Sequence, residues 1–222
     1  MFKVYWSQKR IYFLIIMTKD KLMPYSDFSL EKAKKAFCLT ERRTRLFEGV
    51  KKLESSSWLK ETFDVTLELA LSSSSEKARS EFIVVPILVE MEKRNKKAFA
   101  IYSGNRLDID EEKGLNGECD FILSKGPIAS TIQAPIFSLV EAKKNDIQSG
   151  LGQCAAQMVG ARLFNQQEEN NIQTIYGCVT TGENWQFLKL ENDIIFMDQN
   201  RYYINDINSL LGVFQVIIED CK

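Results

Sequence analysis

The chain has 222 residues, is 45% hydrophobic and 27% charged, carries a formal net charge of -1 and contains no histidine. That length suits one domain with an ample core, and the near-neutral balance gives no global attraction for a polyanion, so any nucleic-acid contact has to come from local basic patches. Without imidazole, Ser-His-Asp and Cys-His nucleophilic catalysis, zinc centres with His ligands and His-based nuclease chemistry are all excluded, whereas carboxylate and lysine chemistry stays open. Five cysteines, an odd number with no C-x-x-C pair, read as reduced thiols and point to a cytoplasmic protein.

Lys9-Arg10 precede an apolar run over 11–17 that is too short to span a bilayer and lacks a small-residue cleavage site, so no membrane partner is expected. The run reads either as a strand docked on the body or as an upstream extension before an initiation at Met17, the second being preferred. Residues 29–54 read as helix-prone and basic, a solvated face more often than a phosphate patch. Ser55-Ser56-Ser57 offer N-caps for a helix through Trp58, Leu59, Phe63, Leu67 and Leu71, and the serine run 72–75 breaks it. A second helix is predicted from Glu76, capped by Ser75, to about Lys93, with Pro86 kinking it.

From Ala98 the hydrophobic period changes to two. Residues 98–103 read as a strand, Gly104-Asn105 as a turn, 106–110 as a second strand, and 118–123 as a third, with Asp120 leading its apolar part. Lys125-Gly126-Pro127 is turn chemistry. The unbroken apolar run 136–140 predicts a strand buried on both faces and ending in Glu141-Ala142-Lys143. A helix over about 146–166 follows, its Gly152, Ala155, Ala156, Gly160 and Ala161 small enough to lie close against a sheet. Strands at 174–179 and 185–190 and a final helix over 205–218 complete a mixed α/β fold with a layered central sheet. The division expected is a mainly helical extension over 1–74 and a domain over 75–222.

Side chains alternate along a strand, so Glu141 and Lys143 share a face, and Asp120 can meet Glu141 if their strands pair. Two carboxylates with an adjacent ammonium could hold a divalent cation beside a phosphodiester. Glu-x-Lys also arises by chance in so charged a chain, as Glu111-Glu112-Lys113 shows in a polar loop. The buried-type strand before Glu141, the Asp-led strand preceding it and the helix directly after separate the two cases.

Asp120 followed by Glu141-Ala142-Lys143, within a helix, strand hairpin, strand, helix, strand order, resembles the PD-(D/E)xK or restriction-endonuclease-like nuclease superfamily. The resemblance covers about residues 75–190 and extends to an uncharacterised group within it, through the segments 76–82, 114–117 and 150–153. It implies a restriction-endonuclease-like core, a hydrolase acting on phosphodiesters of nucleic acid, DNA above RNA, and Mg2+ with Mn2+ as substitute. Asp120 and Glu141 would be the metal-binding carboxylates and Lys143 the catalytic lysine; Cys119 departs from the family by standing where Pro precedes the Asp. Many members add an acidic residue from the preceding helix, for which Glu81 is preferred over Glu90. Relatives of the RecB type carry a glutamine on the following helix, for which Gln153 is preferred over Gln157. Arg79 could reach phosphate and Trp185, Phe187 and Tyr176 could stack on bases, although a surface arginine and core aromatics are the blander assignments. A homodimer is compatible with such a nuclease, since enzymes that cut both strands often pair. The alternatives are a non-catalytic nucleic-acid-binding module that keeps the fold, using Lys93, Arg94, Lys96 and Lys97, and a structural or regulatory protein with an incidental charged strand end.

Overall fold

Eight strands make one mixed sheet in a computed structural model that describes residues 23–170 and 172–221. The apolar run at 11–17 therefore lies outside the described residues. The strands are β1 (Thr40–Thr44), β2 (Phe99–Arg106), β3 (Glu118–Lys125), β4 (Ile136–Ala142), β5 (Thr174–Thr180), β6 (Asn184–Glu191), β7 (Ile194–Asp198) and β8 (Tyr202–Tyr203). They lie in the order β1-β7-β6-β5-β4-β3-β2, with β8 paired to β6. The pairs β4–β5 and β1–β7 are parallel and the others antiparallel.

Five α-helices among the described residues begin where a side chain satisfies a free N–H. Ser29 caps α1 (Leu30–Ala36), Ser56 caps α2 (Ser57–Ser72), Ser75 caps α3 (Glu76–Arg79), Asp146 caps α5 (Ile147–Gln167) and Asp206 caps α6 (Ile207–Asp220). Between α3 and α4 (Val85–Arg94) the helix widens to a π turn over Ser80–Val84, directly before Pro86. Pro86 has no N–H for the carbonyl of Phe82 four residues back. The Thr66 hydroxyl of α2 donates to that carbonyl at 3.0 Å, so the missing bond is replaced from the neighbouring helix.

Two apolar clusters lie on the two faces of the sheet. One joins α1 and α5 to Ile122, Leu139, Val179 and Leu188, and the other joins α2, α4 and α6 to Phe121, Val140, Cys178 and Phe187. Every residue of β4 is buried, as its unbroken apolar run predicts for a central strand. A bulge opposite Leu123 and Ser124 interrupts it, and the buried Asn165 amide there accepts from the Ile136 N–H and donates to the Ile136 carbonyl, both at 2.7 Å.

Several expectations change. Residues 40–44 form the edge strand β1, not part of a helix, because their main chain pairs with β7 and the β-branched Thr40 and Thr44 suit an extended edge. Gly104-Asn105 is no turn: β2 runs through it to Arg106, Gly104 taking φ +68°, and residues 107–117 fold back through a bridge between Asp110 and Leu115. The small residues of α5 serve two sides, since Gly150 lies against Val179 and Lys143 while Gly152 and Gly160 admit the main chain at 28–30 and the Tyr25 ring. Residues 23–74, read as an extension, supply β1 and place Tyr25, Phe28, Ala33, Leu59 and Ala70 in the two cores. Their burial makes them part of the sheet domain.

Gly152→Ala would drive a methyl into the main chain of Phe28, Ser29 and Leu30. The expected loss is about 1–3 kcal/mol of unfolding free energy, read from urea denaturation.

Candidate functional site

Strand pairing brings the carboxylates together. Phe121 is opposite Val140 in the antiparallel β3–β4 ladder, which sets Asp120 across from Glu141, and there the ladder stops. Beyond that point the Asp120 side chain replaces a main-chain acceptor, its Oδ2 taking the Ala142 N–H at 2.7 Å. On the other side β4 continues alongside β5, and the Lys143 N–H donates to the Thr180 carbonyl at 2.7 Å. The group therefore sits outside the carboxyl end of a parallel strand pair bridged by α5, where open α/β sheets leave a crevice.

Glu141 and Lys143 do share a face. The Lys143 ammonium donates to Glu141 Oε1 at 2.7 Å and to Gln153 Oε1 at 3.2 Å, and Gln157 Nε2 donates to Glu141 Oε2 at 2.9 Å. Glutamines four apart on α5 thus both enter the group, Gln153 through the lysine and Gln157 through the carboxylate. Gly150 makes this approach feasible: a side chain there would collide with Val179 and crowd the aliphatic stem of Lys143.

The acidic helix residue differs from the one expected. Glu81 is half exposed and pairs with Lys77 at 3.2 Å, and Glu90 is buried against Ser56 and Arg94, tying α4 to the start of α2. Glu76, at the first turn of α3, is the carboxylate near the group. Its Oε2 accepts from the Lys144 N–H at 3.0 Å, and its charge acts on both Asp120 and Lys143. Its position as first residue after the Ser75 cap was the available signal, but only the fold turns that end of the helix towards residue 144. The other sequence candidates serve the architecture. Arg79 is buried, donating to the Thr181 carbonyl at 2.7 Å and to Glu183 at 3.1 Å. Trp185, Phe187 and Tyr176 are core residues, Lys93 lies over Trp58, and Arg94 is bound to Glu90.

Burial and the nearby Asp120 charge push the Glu141 carboxyl up to about 7, against the opposing pull of Lys143 and Gln157. Asp120 is raised as well, by burial first, with the Ala142 N–H and Lys143 working the other way. Burial works against the Lys143 ammonium, yet Glu141, Glu76 and Asp120 together hold it above its ordinary value. Three carboxylates thus surround one ammonium, and the negative excess is what a cation would relieve. The donors are hard oxygens, and Asp120 Oδ1 carries no hydrogen bond among the described residues. Among the described residues no three Asp, Glu, Cys or His side chains form a group that could hold a metal ion.

No protein-family model matches this chain, and no curated protein is significantly similar to it. No helix among the described residues is long and apolar enough to cross a membrane.

Glu141 holds its proton more tightly in the folded chain than in the unfolded one. Its contribution to stability is complete below about 4.5 and is lost as the pH rises through about 7. Asp120→Asn removes the neighbouring negative charge and should lower the Glu141 midpoint below about 7, measured by carbon NMR of labelled glutamate carboxyls. An unmoved midpoint would show that the two carboxylates do not interact.

Proposed function

We propose that this protein is a metal-dependent nuclease with a restriction-endonuclease-like core, hydrolysing phosphodiester bonds of DNA at Asp120, Glu141 and Lys143. The observation that carries the reading is the convergence of these three side chains at the open end of β4, with Gln153 on the lysine and Gln157 on the glutamate. The strand hairpin, central strand, helix and parallel strand that hold them are the elements on which the family resemblance rests.

Asp120 and Glu141 would hold Mg2+, with Mn2+ as a substitute. When bound, that ion supplies neutralisation of the charge growing on phosphorus-bound oxygen and a more acidic water. The chain's own residues do the rest. An ammonium has three donors, and Lys143 commits two of them to Glu141 and Gln153. The third is free to reach a non-bridging phosphate oxygen or to orient the attacking water, a fixed cation where negative charge develops. Gln157 and Lys143 each take one oxygen of Glu141 and so fix the plane of its carboxylate. Glu76 secures the backbone after the lysine through the Lys144 N–H. The net change is addition of water across one P–O bond, leaving a phosphomonoester and a hydroxyl.

A second reading, a non-catalytic nucleic-acid-binding or regulatory protein on the same fold, draws on the Glu141 carboxylate being hydrogen-bonded at both oxygens already. Cleavage separates the two. Plasmid, linear, single-stranded and branched DNA, with RNA alongside, should be hydrolysed in magnesium or manganese and spared in EDTA. Lys143→Ala and Asp120→Ala should each reduce the rate by about a hundredfold or more, with thermal unfolding still cooperative. Full activity in either variant removes the assignment, and salt-dependent binding without cleavage selects the second reading.

A further inference from the structure

The same end of the sheet carries an open groove of about 380 Å³ that the proposed chemistry does not use. It lies between the segment that follows β1 and the turn joining β7 to β8, and includes Phe47, Asn200, Arg201, Tyr202, Tyr203 and Ser209. Its position follows from strand register. Ala142 is level with Thr180, Thr180 with Trp185 and Trp185 with Tyr202, so the groove is three strand spacings from the end of β4. That is roughly 14 Å at about 4.8 Å per strand.

The groove is built rather than incidental. Asp198, 3% exposed, holds its wall: Oδ1 accepts from the Asn200 N–H at 3.0 Å and the Leu46 N–H at 3.4 Å, and Oδ2 accepts from the Tyr202 hydroxyl at 3.1 Å. The floor is aromatic, with Phe47 edge-on to Tyr202 and Phe187. At the rim Tyr203 is 48% exposed, a large ring left half in water. Beside it Arg201 is exposed and has no ion pair or hydrogen bond among the described residues. Asp206 at the far edge is neutralised by Lys52 at 2.7 Å. Apart from Lys52, the adjoining segment 41–52 carries four basic residues against two acidic ones, a local cationic excess in a chain of net charge -1.

An exposed ring beside a free guanidinium on a basic surface recognises an anion that carries a flat base. We propose that this groove is a strand-binding subsite taking one nucleotide of a single-stranded polynucleotide that continues from the candidate site, its base stacked on Tyr203 and its phosphate on Arg201. The proposal rests on the nucleic-acid reading above but does not require hydrolysis. The strand would pass the Thr181–Gly182–Glu183 loop, which Arg79 holds down by its bonds to Thr181 and Glu183. Glu183 carries the same sign of charge as the phosphates, and its pairing with Arg79 offsets it.

The test is fluorescence anisotropy of the full chain with labelled 15-nucleotide single-stranded DNA and RNA, in EDTA so that no cleavage occurs. Tyr203→Ala should weaken binding about tenfold while Tyr203→Phe retains it, because stacking needs the ring and not the hydroxyl. Arg201→Ala should weaken binding comparably and lower the slope of log affinity against log salt by about one phosphate contact. Both side chains are exposed, so unchanged melting temperatures are expected. Wild-type affinity within twofold in both Ala variants overturns the subsite, as does a wild-type chain that binds neither oligonucleotide. Binding lost in the variants with no cleavage by the wild type in magnesium or manganese leaves the subsite standing and overturns hydrolysis instead. The DNA and RNA arms decide which sugar the groove accepts.

Discussion

Two carboxylates forced together at the point where a sheet ladder ends are the constraint around which this molecule is arranged. Asp120 and Glu141 belong to neighbouring antiparallel strands and fall opposite each other one residue past the last ladder pair. Their repulsion, in a place where Glu141 is 1% exposed, is tolerated because three of their four oxygens accept hydrogen bonds. Ala142 N–H, Lys143 and Gln157 answer three of the four, and one Asp120 oxygen is left open. Breaking such a buried arrangement by removing one partner leaves an uncompensated charge, which costs far more than the pair as a whole contributes.

Everything that holds the group is borrowed from the architecture of the sheet. β4 is central and entirely buried, so its end cannot drift, and α5 returns over it closely enough for Gln153 and Gln157 to reach both members of the pair. That closeness depends on glycine at 150 on the sheet side and at 152 and 160 on the side of the N-terminal segment. The N-terminal segment is therefore a support for the site, since it clamps α5 from outside while α5 positions the glutamines. The π turn ahead of Pro86 serves a comparable purpose on the other face, adjusting the helix that starts at Glu76 without leaving the Phe82 carbonyl unpaired.

Much of the site was legible because its parts are local. Alternation along β4 puts Glu141 and Lys143 on one face whatever else the chain does, and helical spacing puts Gln153 and Gln157 together four residues apart. Spacing cannot say which of the two amides faces the carboxylate; depth in the fold makes Gln157 the one bonded to Glu141. Glu76 was missed for a similar reason. Glu76, Glu81 and Glu90 lie on one helical stretch and differ in how it lies against the sheet, Glu81 having the exposed side while Glu90 faces α2.

The sequence by itself determined the element types wherever one signal dominated, as with the serine caps and the apolar run of β4. It also determined which chemistries are absent, since a chain without histidine cannot use one. Tertiary structure alone decided that residues 40–44 are a strand, that Gly104 lies within one, and that 23–74 belong to the domain body. Those outcomes depend on main-chain pairing with β7, on the ladder with β3 and on packing against α5, interactions between segments far apart in the chain that no local pattern encodes.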